Sequence, residues 1–190
     1  MPKHAADSPS PFFRPLRHFA ALACVSAALV ACSPSYDWRT LHNDAGYTID
    51  LPAKPTVENQ PVAVGGATMP MRMQAAHVAG AVFAVGTLTL PDEREETRRA
   101  ALEFLRAGLS RNLDGTPATA AVRVPLAAGG AVDGLELRIA GAASGGDHAR
   151  RTIVARLAAR GRHAYQAVVI MDGPLAQEQL DQFFGSFKLD

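Results

Sequence analysis

Residues 81–95 read AVFAVGTLTLPDERE, and within this stretch a strand pattern changes into the start of a helix. Apolar side chains fall on both faces of residues 81–90, which predicts a strand that is covered on both sides of its sheet. Pro91 ends the strand, and Asp92 follows it as a candidate helix N-cap. The pattern therefore predicts buried strands together with at least one packed helix.

Strand patterns also precede this stretch. Residues 68–78 form one, and because residues 79–80 leave room only for a tight connection, we predict an antiparallel hairpin with residues 81–90. Residues 47–51 alternate apolar and polar side chains, which predicts a half-buried strand. The segment that follows is predicted to be irregular or an edge strand because it contains three prolines, Pro52, Pro55 and Pro61.

Acidic residues cluster at the predicted start of the helix. Asp92 is expected to cap the helix, with Glu95 bonding back to it as in a capping box. We expect the helix to run to about Leu113, with an exposed face on which opposite charges such as Glu95 and Arg99 pair. Its buried stripe is predicted to consist of Leu102, Leu105 and Leu109. The acidic cluster thus indicates a helix cap rather than a catalytic acid–base pair.

Four alternating patterns follow the helix in succession. They lie around residues 122–126, 135–139, 153–157 and 165–169, and glycine-containing turns separate them, which predicts an antiparallel meander. Gly173 and Pro174 are expected to open a last helix that Gly185 ends. This order of elements predicts an α+β domain with an antiparallel β-sheet of about six to seven strands and two main helices packed on it.

The N-terminus carries a separate signal. Basic residues precede a short apolar run over residues 19–30, and this run is shorter than the roughly 20 residues that a transmembrane helix needs. Leu29-Val30-Ala31-Cys32 resembles the lipobox of bacterial lipoproteins, in which a peptidase cleaves before the cysteine and the thiol receives diacylglycerol. An uncleaved signal anchor, or cleavage at another position, is the alternative.

The lipobox resemblance implies three segments. They are a signal peptide over residues 1–31, a lipidated tether over residues 32–45 and a folded domain over residues 46–190. The implied partner is the lipid bilayer, which several acyl chains on Cys32 would hold durably. Ser33 stands where an Asp would favour the inner membrane, so the resemblance implies a place at the outer membrane, facing the periplasm. Cys24 would leave with the leader, so no disulfide is expected.

A second resemblance concerns the folded domain. Residues 47–52 (YTIDLP), followed by Lys54 and Pro55, and the closing segment over residues 183–189 (FFGSFKL) resemble the first strand and the end of the PsbP/DcrB-like superfamily. The resemblance would cover about residues 46–190. It implies an envelope accessory protein rather than an enzyme.

Charge and motifs exclude several function classes. Without residues 1–31 the net charge is −1, and arginines alternate with glutamates over residues 93–111, so no basic stripe for nucleic acid is present. The sequence also lacks nucleotide-binding glycine motifs and zinc-type histidine spacing. Ser144 is in a turn-like segment without the glycine spacing of a nucleophile elbow, and the adjacent Asp147 and His148 do not form a relay by adjacency alone. We therefore predict neither a cofactor nor an enzyme.

One set of residues has the chemistry of a metal site. Met69, Met71, Met73 and His77 lie on one face of a predicted strand, and thioethers with an imidazole suit Cu(I). Methionines on one strand face also serve as core filler. An open groove at these residues would favour ligand or copper binding, whereas burial under a helix would favour the accessory role.

The sequence as a whole predicts a monomeric, membrane-tethered periplasmic lipoprotein that acts as a non-catalytic accessory or binding module, with a possible protein partner in the envelope. The alternative is a small-ligand or Cu(I)-binding lipoprotein that uses the strand face of Met71 and Met73.

Overall fold

The structure, a computed structural model, describes residues 36–144 and 149–190. Cys32, the predicted leader, Asp147 and His148 lie outside the described residues. The elements in chain order are β1 (Arg39–Asn43), β2 (Tyr47–Leu51), β3 (Thr56–Val64), β4 (Ala67–Val78), β5 (Ala81–Thr89), α1 (Glu95–Ser110), β6 (Leu113–Asp114), β7 (Ala118–Pro125), β8 (Ala131–Ala143), β9 (Arg150–Arg160), β10 (His163–Met171), α2 (Gln177–Ser186) and β11 (Lys188–Leu189).

Most strands form one large antiparallel sheet. Its order is β3-β4-β5-β10-β9-β8, and β6 and β7 both pair with the outer edge of β8. The predicted α+β class with an antiparallel sheet and two helices is confirmed for the described residues. The predicted strand count of six to seven is too low for this sheet, which has eight strands because its last edge is split into β6 and β7.

A second, smaller sheet has the order β1-β2-β11. Its first strand lies within residues 32–45, all of which were expected to be tether, so the folded part begins earlier than predicted. The polar sequence of β1 concealed this strand. Its backbone pairs with β2, and two side chains add cross-strand bonds: the Thr40 hydroxyl donates to Asp50 Oδ1 at 2.7 Å, and His42 Nδ1 lies 3.0 Å from Thr48 Oγ1.

The large sheet has a hydrophobic core on each face, as the pattern of residues 81–90 predicts. On one face Ala84 and Leu88 of β5, together with Leu90 just after the strand, belong to the cluster that also contains buried residues of α1. On the other face Phe83 and Val85 belong to a cluster with β2 and α2. The predicted hairpin is confirmed, since β4 and β5 pair antiparallel around a two-residue turn in which both residues have positive φ.

Helix α1 starts later than predicted, and Asp92 is not its cap. The helix begins at Glu95, and the Asp92 carboxylate instead accepts a hydrogen bond from the Arg94 backbone N–H at 3.0 Å. Leu102 is only half-buried. The buried stripe of α1 is made of residues four apart, Thr97, Ala101, Leu105 and Leu109. Charges on its exposed face pair three residues apart, as between Glu103 and Arg106.

Strand β3 is the free edge of the large sheet, in agreement with the proline-based expectation. Pro61 lies directly opposite Pro70 of β4. A pair of prolines fits only a non-hydrogen-bonded position of an antiparallel ladder, because neither residue has an N–H to donate. No helix within the described residues is both long enough and apolar enough to cross a membrane.

Candidate functional site

The methionine-rich face of β4 is largely core. Met69 and Met71 are buried in the cluster that contains Leu105 and Leu109 of α1. Met73 is partly buried against the same cluster. Most of the copper candidates therefore belong to the core on the α1 side of the sheet, and burial of this kind was expected to favour the accessory role.

The remaining candidates do not converge on one point. His77 is exposed and lines a different cavity, beside Arg151 and Asp172. Four residues of extended strand separate it from Met73, which is about 13 Å of backbone. The Met73 sulfur already accepts a hydrogen bond from Gln166 Nε2 at 3.7 Å. The structure thus leaves no joint ligand set of Met69, Met71, Met73 and His77.

A concave site lies on the opposite face of the same strand. It is an open groove of about 620 Å³. We call it the β4 groove, and its lining residues are Asn43, Asp44, Ala45, Asn59, Gln60, Pro61, Thr68, Pro70, Met71, Arg72, Thr87, Thr89 and His163. Its volume lies within the range of roughly 300–1,000 Å³ that is typical of small-molecule sites.

The register of the strands determines which side chains form the floor of the groove. Arg72 of β4 lies opposite Asn59 of β3 and opposite Thr87 of β5, so these three side chains share one face of the sheet. On the next strand Tyr165 is opposite Thr87, and His163 is opposite Thr89. Four neighbouring strands therefore contribute adjacent side chains to one polar surface.

The wall of the groove is the turn between β1 and β2, and several bonds fix it. The Asn43 side-chain oxygen accepts from the Ala45 N–H at 2.9 Å, and the Tyr165 hydroxyl donates to the Ala45 carbonyl at 2.7 Å. The Gly46 carbonyl accepts from the N–H of Asp190 at 3.1 Å. Gly46 itself has a φ of 81°, which favours glycine at this position. The wall is thus built in advance of any ligand.

A buried polar network connects the wall to the floor. Gln74 is buried on β4, and its Oε1 accepts from Asn43 Nδ2 at 2.6 Å and from the hydroxyl of buried Tyr47. Burial holds the pKa of the Tyr47 phenol well above its ordinary value, and the nearby charge of Arg72 opposes that effect in part, while Thr87, a residue of the floor, lies near enough to the phenol to lower its pKa slightly. The phenol is therefore a neutral hydrogen-bonding group beneath the groove.

Two opposite charges face the groove without neutralising each other. Neither Arg72 nor Asp44 forms an ion pair with any described residue. The third titratable lining residue is His163, whose pKa is lowered by burial and by the charge of Arg162. His163 is thus biased toward its neutral form, so Arg72 and Asp44 are the main fixed charges of the site.

The groove was not predicted from the sequence, although the sequence contains one usable signal for it. Along one face of β5, Phe83 and Val85 are followed by Thr87 and Thr89, and the same face becomes polar where the groove begins. The contribution of Asn43 and Asp44 was concealed, because residues 32–45 were expected to be tether. Arg72 was not predicted as a site residue, because the copper hypothesis concerned the methionines on the other face of the strand.

The other chemical candidates can also be placed. The Ser144 hydroxyl donates to the Arg111 carbonyl at 2.9 Å, near the C-terminal end of α1. Within residues 36–144 and 149–190, no group of three His, Cys, Asp or Glu side chains is placed to hold a metal ion. No protein-family model and no curated protein sequence matches the chain.

Proposed function

We propose that this protein is a lipoprotein anchored through acylated Cys32 to the outer membrane, where its domain faces the periplasm as a non-catalytic binding or accessory module. The observation that carries the binding role is the β4 groove, which has an open mouth and a prebuilt wall. Such a site is suited to ligand recognition, because little conformational entropy is lost in ordering the wall when a ligand binds.

The position of the groove suits a tethered protein. Tyr36 and Trp38 are the described aromatic residues nearest in sequence to Cys32, and both rings pack edge-on against Phe83, with centroids 6.3 and 5.8 Å away. Along β5, Phe83 is four positions from Thr87, the nearer lining residue of the groove, which is about 13 Å. Tyr36 thus packs at Phe83 and is not a lining residue of the groove.

The proposal includes a PsbP/DcrB-like fold. The two segments that carry the resemblance lie side by side, since Lys188 and Leu189 of β11 pair with Thr48 and Tyr47 of β2. Because the two segments pair with each other, we treat them as one shared feature of the PsbP/DcrB-like superfamily. Copper binding is not proposed, because the thioethers of Met69 and Met71 are buried.

Lipidation is tested by mass spectrometry and membrane fractionation of the protein expressed in a bacterial envelope. We expect the native protein to begin at Cys32 and to carry acyl chains. Cys32→Ser should release the protein from the membrane fraction, whereas Cys24→Ser, the matched control within the leader, should not. An unmodified Cys32, or a retained leader, would overturn the anchoring part of the proposal.

The binding role is tested with a photocrosslinking side chain in the intact, membrane-bound protein. A crosslinker at Thr68 reaches into the β4 groove, and one at Thr119, an exposed residue of β7 outside the groove, is the control. We expect crosslinked products specific to Thr68 that are lost when the groove is filled by Thr87→Trp. Equal labelling from both positions would count against a ligand in the groove.

A further inference from the structure

We propose that the β4 groove binds a zwitterionic ligand with a free ammonium and a free carboxylate, of the class of amino acids and short peptides. The inference deepens the proposed binding function and rests on it. It starts from Arg72 and Asp44, two opposite charges that line the same groove and pair with no described residue.

Several other opposite charges of the domain do form ion pairs. Arg39 pairs with Asp37, Arg123 with Asp133 and Arg151 with Asp172. In the groove, by contrast, the turn of Asp44 is fixed by bonds to its neighbours, and Arg72 stands on a paired strand of the sheet. The scaffold therefore fixes the backbone of Asp44 in the wall of the groove and the backbone of Arg72 in its floor. A ligand with both charges would satisfy both side chains.

The uncharged lining favours a peptide over a simpler zwitterion. The amide side chains of Asn59 and Gln60 and the hydroxyls of the lining threonines provide hydrogen-bond donors and acceptors for peptide units. Pro61 and Pro70 supply apolar surface beside them. The guanidinium of Arg72 matches a carboxylate through paired N–H donors, whereas Asp44 accepts from an ammonium.

The test is calorimetric titration of the full chain in detergent with three forms of one tripeptide. Trialanine carries both charges, N-acetyl-trialanine carries only the carboxylate, and trialanine amide carries only the ammonium. We expect trialanine to bind most tightly. Arg72→Gln and Asp44→Asn should each weaken its binding about tenfold, the scale of one charge-assisted contact.

The blocked peptides assign each charge to its partner. Asp44→Asn should leave N-acetyl-trialanine binding unchanged, and Arg72→Gln should leave trialanine amide binding unchanged. Arg99→Gln and Asp114→Asn remove exposed charges outside the groove and serve as matched controls. Melting temperatures of all four variants near that of the parent protein would show that they fold.

Three outcomes would overturn the inference. They are no trialanine binding at millimolar concentration, equal affinity for all three peptides, and equal or tighter binding of glycerophosphoethanolamine, which would assign the site to a lipid headgroup. None of them affects lipidation of Cys32 or crosslinking from Thr68, so failure of the inference is distinguishable from failure of the proposed function.

Discussion

The Arg156 guanidinium lies over the Phe184 ring, 5.0 Å from its centroid. The same group donates to the Phe184 carbonyl at 3.2 Å and to the Glu136 carboxylate at 3.1 Å. One side chain of β9 thereby joins the large sheet to the C-terminal end of α2, and β11 follows this end directly. The attachment of the small sheet to the large one depends in part on this contact.

Arg156→Ala should lower the free energy of unfolding by about 1–2 kcal/mol, because it removes a partly shielded cation–π contact and charge-assisted hydrogen bonds together. Urea denaturation measures the change. The control is Arg138→Ala, since Arg138 reaches the same Glu136 carboxylate from an exposed position at 3.7 Å. An exposed pair of this kind contributes about 0–1 kcal/mol. Equal losses in the two variants would contradict a special role for Arg156.

The wall of the groove should weaken at high pH. Burial and the nearby Asp190 carboxylate raise the pKa of Tyr165 from 10.0 to about 12. The unfolded chain then loses the phenol proton more easily than the native protein does, so stability is complete below about pH 10 and falls as the pH rises toward about 12. Chemical denaturation at a series of alkaline pH values measures this loss.

The variant Tyr165→Phe tests whether Tyr165 contributes to the loss of stability at alkaline pH. It should cost about 1 kcal/mol at neutral pH, because the hydroxyl no longer donates to the Ala45 carbonyl. It should also reduce the fall in stability between about pH 10 and 12, and the buried Tyr47 phenol accounts for part of the fall that remains. An unchanged alkaline profile would show that other groups cause the loss.

Gly141 is required by a close approach of β8 to β6. A Cβ atom at this position would meet the Asp114 carbonyl carbon at 2.7 Å, so backbone would have to move. We expect Gly141→Ala to destabilise the domain by about 2–3 kcal/mol in thermal or urea denaturation. Gly185→Ala is the control, because a Cβ there meets nothing within 4 Å. In helix α2 it should stabilise the protein by about 0.5–1 kcal/mol.

The methionines of β4 should show no shared copper site. A competition titration with a Cu(I) chelator is expected to give the same weak binding for the parent protein and for the double variant Met71→Leu, Met73→Leu. The structural reason is that Met71 is buried against α1 and that the Met73 sulfur is bonded to Gln166. A marked loss of affinity in the variant would restore the metal hypothesis.

Much of the large sheet was predictable from the sequence because its strands obey simple periodicity. The Ala79-Gly80 turn and the alternation within residues 135–139 and 153–157 each have a local cause, and the hairpin and meander follow from them. The helix boundary at Glu95 was less predictable, because the Asp92 carboxylate binds a nearer N–H than a capping box requires.

The small sheet and the candidate site could not be predicted from the periodicity of the sequence. Residues 39–43 have a polar sequence, and their strand depends on pairing with β2 and on the packing of Trp38 against Phe83. The groove depends on the register of strands that are distant in sequence, such as Arg72 opposite Thr87. Alternation within a single strand carries no information about such neighbours.

Pro61 has a consequence for self-association. As its pairing with Pro70 is of the non-hydrogen-bonded kind, the Pro61 nitrogen is directed to the outer side of β3, where an ordinary residue would offer an N–H to an incoming chain. A second molecule that added a strand to the sheet at the β3 edge would lack one backbone hydrogen bond near the middle of this nine-residue strand. The β3 edge, which helps to form the groove, is therefore a poor template for fibre growth.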